Sequence, residues 1–213
     1  MESLHNLITF ITHLVSNFDQ VVQANPGSIY GILFLIIFTE TGLIVMPLLP
    51  GDSLLFIAGA ACASGLLSIW LVIPLLIIAA LMGDNVNYFV GKFFGDYVKS
   101  KQRILFFKKE YIDQTHEFYE KNGGKTVIMA RFVPIVRTVA PFVAGAGSMT
   151  YAKYIVNCVM GAILWVAGIT LLGYFIGNIP IIHQNIKKVE LCIIIISVLP
   201  IFISFLSARL KKQ

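Results

Sequence analysis

Arg131 and Arg137 stand in a segment otherwise apolar enough to enter a bilayer, Ala130-Arg131-Phe132-Val133-Pro134-Ile135-Val136-Arg137-Thr138-Val139-Ala140-Pro141. Arginine at membrane depth costs at least ~2.5–3.5 kcal/mol on insertion scales, so each needs a partner. Earlier in the chain, Glu40 and Asp52 lie in equally apolar surroundings. A guanidinium stays charged, and its planar fork makes bidentate bonds to phosphate. A carboxylate held at depth suits a group that takes up and releases protons. The chemistry on offer is anion binding by Arg131 and Arg137 beside proton coupling by Glu40 and Asp52.

Three roles compete for these charges. The arginines could pair with Glu40 and Asp52 simply to pin two segments together. They could hold an anionic headgroup while the carboxylates exchange protons. Or Arg131 could snorkel to the cytoplasmic interface as a topology signal. On a straight helix the six-residue spacing turns the two arginines about 240° apart, so Pro134 between them is what lets both point into one cavity. Glu40 has no capping motif to explain it. Asp52, in Pro50-Gly51-Asp52-Ser53, also reads as an ordinary helix start. Asp84 reads as an interfacial residue near the cytoplasmic end of its span. Pro47, Pro50, Gly51, Ser53, Asp84, Pro134, Thr138 and Pro141 form the supporting set. Gly59, Gly145, Gly161 and Gly168 read as close-packing positions, and Trp70 and Trp165 as anchors or packing residues. Cys62, Cys158 and Cys192 have neither disulfide nor metal spacing. The four histidines make no cluster, and neither cofactor nor metal is expected.

The elements that must position these groups are helical and membrane-embedded. The chain of 213 residues is 57% hydrophobic and only 13% charged, which excludes an ordinary soluble domain. Stretches 154–177 and 191–208 contain no charged side chain, and each is close to the ~20 residues that cross a bilayer. The net charge of +5 reads as topology rather than nucleic-acid binding, because none of the 16 Lys and Arg precedes Lys92. Basic residues in 92–125 and at the C-terminus place both on the cytoplasmic side. With no cationic leader ahead of the first apolar run, no cleaved signal peptide is expected.

In chain order, 1–25 is predicted as an amphipathic surface helix. The first repeat, 28–91, is a half-membrane apolar run, a break at Pro47, Pro50 and Gly51, a second short helix, and then a full span. Such a half-helix, break, half-helix pattern is a re-entrant hairpin, tolerated at depth only where protein or a watery cavity covers it. Residues 92–125 read as a basic amphipathic linker helix on the anionic inner leaflet. The second repeat, 126–178, is a hairpin broken by Pro134 and Pro141, followed by a span. A C-terminal transmembrane helix occupies 189–208. Phe56-Ile57-Ala58-Gly59-Ala60 recurs as Phe142-Val143-Ala144-Gly145-Ala146, and Tyr88-Phe89-Val90-Gly91 as Tyr174-Phe175-Ile176-Gly177, both at an offset of 86 residues. Each unit crosses the membrane once, so the repeats are inverted, the architecture in which transporters bind substrate between broken helices. The fold expected is an all-α polytopic membrane protein with two inverted hairpin-plus-span repeats.

At Phe38-Thr39-Glu40-Thr41-Gly42, Pro47-Leu48-Leu49-Pro50-Gly51-Asp52-Ser53, Gly83-Asp84 to Gly91-Lys92, and Arg131 to Thr138, the chain resembles the DedA family of bacterial inner-membrane proteins. These proteins carry the VTT (SNARE-associated Golgi) domain. The likeness covers roughly residues 25–180. It implies a multi-pass inner-membrane transporter or scramblase of a lipid phosphate, associated with undecaprenyl phosphate recycling and the proton gradient. It also implies that Glu40, Asp52, Arg131 and Arg137 are required for activity. The partners implied are a polyprenyl phosphate or phospholipid, the bilayer, and protons or sodium ions; a homo-oligomer is allowed. Rival readings are a proton-coupled exporter of small cationic compounds, disfavoured by the nearby arginines, and a scramblase without ion coupling. An intramembrane enzyme is disfavoured because no histidine lies in either hairpin. A scaffold is the remaining alternative.

Overall fold

In the computed structural model, the described residues are 26–42, 51–99, 103–104, 107–108, 119, 121, 123–132 and 134–179. The expected N-terminal surface helix, the breaking prolines Pro47 and Pro50, and the C-terminal span lie outside them. The elements are α1 (Pro26–Gly42), α2 (Gly51–Ala63), α3 (Ile69–Lys99), a two-residue antiparallel ladder of β1 (Arg103–Ile104) with β2 (Phe107–Lys108), α4 (Lys125–Ala130), α5 (Pro134–Val143), a π-helical turn (Ala144–Ser148) and α6 (Tyr151–Gly177). Within α3 and α6, Ile69–Phe94 and Tyr151–Gly177 are long and apolar enough to cross a membrane. Pro26 opens α1, where its missing N–H costs nothing.

Two expectations change. The basic linker is not one amphipathic helix: α3 continues to Lys99, and the ladder then pairs Ile104 with Phe107. Where the second hairpin is expected, the helices α4 and α5 part at Arg131 and Phe132, ahead of Pro134, which opens α5. Pro141 sits inside α5 instead of breaking it. Lacking an N–H, it leaves the Arg137 carbonyl without its helical donor.

The chain divides into two compact units. One takes in Met1–Leu33, Leu48–Ile73 and Ile169–Gln213; the other takes in Phe34–Pro47 and Pro74–Gly168. The first unit is built on α2, whose residues are buried on nearly every side, as a helix apolar all round must be. Gly65, at φ 78°, ends α2 in a Schellman arrangement in which the Leu66 N–H reaches the Ala61 carbonyl at 3.0 Å. A Cβ on Gly59 would lie 2.0 Å from the Thr170 carbonyl oxygen, and one on Gly173 would lie 2.1 Å from that of Phe56.

The second unit has its core in Tyr88, Tyr119, Val127, Val139, Phe142, Val143, Tyr154 and Cys158. Tyr88 stacks on Tyr154 with centroids 4.4 Å apart. Here a Cβ on Gly145 would lie 1.9 Å from the Tyr88 carbonyl oxygen, and one on Gly91 would lie 2.0 Å from that of Phe142. The two repeated motifs therefore do the same job in their respective units. Each Phe-x-x-Gly stretch meets the helix that carries the other repeat's Tyr-Phe-x-Gly. Gly168 has no such role, since a Cβ there meets nothing within 4 Å.

A prediction follows from this difference. Gly145→Ala forces a side chain against backbone and should destabilise by about 1–3 kcal/mol or more, as overpacking does. Gly168→Ala should be neutral. Thermal unfolding of both variants in detergent checks this, and equal midpoints would overturn it.

Candidate functional site

Four charged residues of the second unit, Glu40, Asp84, Arg131 and Arg137, gather in one small cleft lined also by Thr41, Thr138 and Trp165, with about 280 Å³ of empty space including its mouth. Arg131 bonds through Nη2 to the Asp84 carboxylate, and Arg137 through Nη2 to Glu40. Glu40, Asp84 and Arg131 are all buried, at 1%, 3% and 7% exposure. Charges this far from water persist only when paired.

Local structure explains part of this arrangement. Arg131 caps the C-terminus of α4, where the helix dipole favours a cation. Arg137 falls in the first turn of α5, and Glu40 in the last turn of α1, positions where each has the wrong sign for its own helix. Their pairing with each other offsets both. The break after Ala130 removes the angular obstacle of a straight helix. Both guanidinium carbons reach the Trp165 ring, Arg137 at 5.3 Å and Arg131 at 6.0 Å from its centroid.

Around Asp84 the packing is specific. Cys158 Sγ lies 3.4 Å from both Asp84 Oδ2 and Arg131 Nη2, and the Tyr154 hydroxyl donates to the Asp84 backbone carbonyl at 2.9 Å. Asn87 Nδ2 donates to the Thr138 carbonyl at 2.8 Å and approaches that of Thr41 at 3.4 Å, tying α1, α3 and α5 together. The Tyr119 hydroxyl donates to the Ala140 carbonyl at 2.9 Å, and burial pushes its ionisation well above the ordinary phenol range. Arg131 Nε is buried and has no hydrogen-bond partner among the described residues.

Of the four charged residues singled out by sequence, three meet here. Asp52 lies in the first turn of α2, in the first unit. Gly51 and Ser53 accompany it there, both buried. Arg131 pairs with Asp84, which is buried rather than interfacial. Trp165 belongs to the site rather than serving as an anchor, and Cys158 packs against its ion pair. A periodic signal was present in the sequence. Tyr154, Cys158, Gly161 and Trp165 recur at four-three-four spacing, one face of α6, and Asp84, Asn87, Tyr88 and Gly91 share a face of α3.

Gly161 makes room for the arginine: a Cβ there would lie 2.9 Å from both Arg131 Cδ and Nε. Gly161→Ala should displace the guanidinium while the protein still inserts. A shift near an ångström in a binding group can lower turnover by up to about 10²-fold. Under the lipid-phosphate reading proposed below, transport rate at matched protein incorporation checks this, and an unchanged rate would count against it.

The VTT domain matches residues 49–175. The chain is 48% identical to Protein DedA of Escherichia coli over 202 residues, covering 94% of this chain and 92% of the relative. The chain belongs to the DedA family. Another relative in sequence is an uncharacterized membrane protein of Mycobacterium leprae, 39% identical over 92% of this chain and 90% of its own length. The Escherichia coli inner membrane protein YqjA is 32% identical over 84% of this chain and 83% of its own. With this membership, the apolar composition and the two long apolar helices, the chain is a membrane protein. No solved structure matches it.

Proposed function

We propose that this protein carries a lipid phosphate across the bacterial inner membrane as a multi-pass transporter with a cytoplasmic C-terminus. Undecaprenyl phosphate recycling driven by the proton gradient is the specific activity proposed. The observation that carries the reading is the convergence of Arg131 and Arg137 on one buried indole, each held by a carboxylate. Two guanidiniums in one cleft suit a phosphate, which accepts forked hydrogen bonds that a cation could not. The orphaned Arg131 Nε is a further donor. In this scheme the phosphate enters while its polyprenyl tail stays in the bilayer. Protonation of Glu40 and Asp84 releases the arginines to it, and deprotonation on the other side returns them to the acids. Substrate chemistry is left intact, so the reading is not an enzyme's. The name of the relative YqjA supports the membrane assigned.

Transport in proteoliposomes is the test. Arg137→Lys keeps the charge and loses the fork, so lipid turnover should fall at least tenfold, about 1.4 kcal/mol of barrier. Near-normal turnover would refute bidentate capture.

A further inference from the structure

Arg137 stands on a short helix with a weak point at each end. Before α5 the chain breaks at Arg131 and Phe132. Toward the other end Pro141 donates no helical hydrogen bond, and the π-helical turn Ala144–Ser148 follows directly. Turns of that kind are frequent at functional sites. A helix of 10 residues is too short to hold its shape by propensity alone. Something outside α5 must fix where it carries its guanidinium.

Two buried side chains reach its backbone. From α3, Asn87 donates through Nδ2 to the Thr138 carbonyl at 2.8 Å and approaches the Thr41 carbonyl at 3.4 Å. Thr138 directly follows Arg137, and Thr41 directly follows Glu40. One amide therefore meets the backbone beside both members of an ion pair. From the linker, the Tyr119 hydroxyl donates to the carbonyl of Ala140, the residue before Pro141. Both bonds fall between Arg137 and the proline. Asn87 is fully buried, and its Oδ1 has no hydrogen-bond partner among the described residues. An unmet buried acceptor is costly, and a leucine would fill the place without one. Reversing the amide would set its oxygen against two carbonyls. What asparagine supplies that leucine cannot is the donated bonds.

We infer that Asn87 and Tyr119 are positioning residues for Arg137. By clamping the α5 backbone at Thr138 and Ala140, they set where the guanidinium stands over the Trp165 ring and against Glu40. The residues that line the cleft include neither of them, so both act through Arg137. Asn87 lies one turn along α3 from Asp84, the partner of Arg131. One face of α3 thus places both arginines, the first through a carboxylate and the second through an amide. The effect on ligand affinity rests on the lipid-phosphate reading above; the placement of Arg137 does not.

The experiment uses the purified full-length protein in detergent micelles, in a Trp70→Phe background where Trp165 is the sole indole. The Arg137 guanidinium carbon lies 5.3 Å from that ring, so selectively excited Trp165 emission reports where Arg137 stands. Tyr119→Phe removes one hydroxyl and should shift the emission. The shift should vanish when Arg137→Ala is added, because no guanidinium is then left to misplace. Affinity for farnesyl phosphate should fall about fivefold with Tyr119→Phe, the worth of one hydrogen bond, and by about that much or more with Asn87→Ala. Should Asn87→Ala fail to fold, Tyr119→Phe carries the test. A merely structural role would lower the thermal midpoint and leave emission and affinity of the folded protein unchanged; that result would overturn the inference. A shift that persists in the Arg137→Ala background would overturn it too. If the emission shifts as expected but the unaltered protein binds no farnesyl phosphate, the lipid-phosphate reading fails and the placement of Arg137 stands.

Discussion

Asp84→Ala should destabilise the protein by about 3–5 kcal/mol, because it leaves the Arg131 guanidinium buried without its counter-charge. Arg131 is 7% exposed and its carboxylate partner lies within the core of the second unit. Neither Cys158 nor Tyr154 can replace a negative charge. A double replacement separates stability from function. Arg131→Met with Asp84→Leu swaps the pair for apolar side chains of similar volume, which buried pairs tolerate at little or no cost. That variant should unfold near the parental midpoint in detergent yet transport no lipid phosphate. If Asp84→Ala unfolds like the parent, the pair does not carry the burial assigned to it. If the double variant transports, Arg131 does not bind substrate.

The second large effect concerns Trp165. Two like charges on one ring repel each other, and the indole face attracts each by roughly 2 kcal/mol when desolvated. Trp165→Leu removes both attractions, so the guanidiniums should separate and transport should fall by about 10²-fold or more. Trp165→Phe keeps an aromatic face and should retain much of the activity. A leucine variant as active as the parent would remove Trp165 from the site. The chain has only one other tryptophan, Trp70, which is 85% exposed and belongs to the first unit. In a Trp70→Phe background, Trp165 emission should therefore change when a lipid phosphate is added. An emission unchanged by saturating lipid would show that nothing approaches the ring.

Much of the site was legible in the sequence because charge in an apolar segment is conspicuous. Arg131, Arg137 and Glu40 stand out for that reason alone, and the structure unites them. The repeat at an offset of 86 residues was legible too, and its glycines prove to be points of backbone contact. Asp84 was harder to read. It lies near polar Asn85 and Asn87, and so resembles the end of a span more than its buried face. Trp165 and Cys158 carry no formal charge and have no distinctive spacing beyond a helical stripe, which core residues share.

Composition and the distribution of Lys and Arg settled on their own that this chain lives in a membrane, since side-chain transfer energies do not depend on what packs where. The short apolar runs and the break around Arg131 were likewise local matters, fixed by length and by proline. Which acid each arginine meets was decided only by tertiary structure. Three carboxylates were available, and the choice depends on the face of α3 that turns inward and on the missing Cβ of Gly161 beside Arg131. The inward face of α3 cannot be read from one position, and Gly161 matters only because α6 brings it against Arg131; both arise from how separate helices meet.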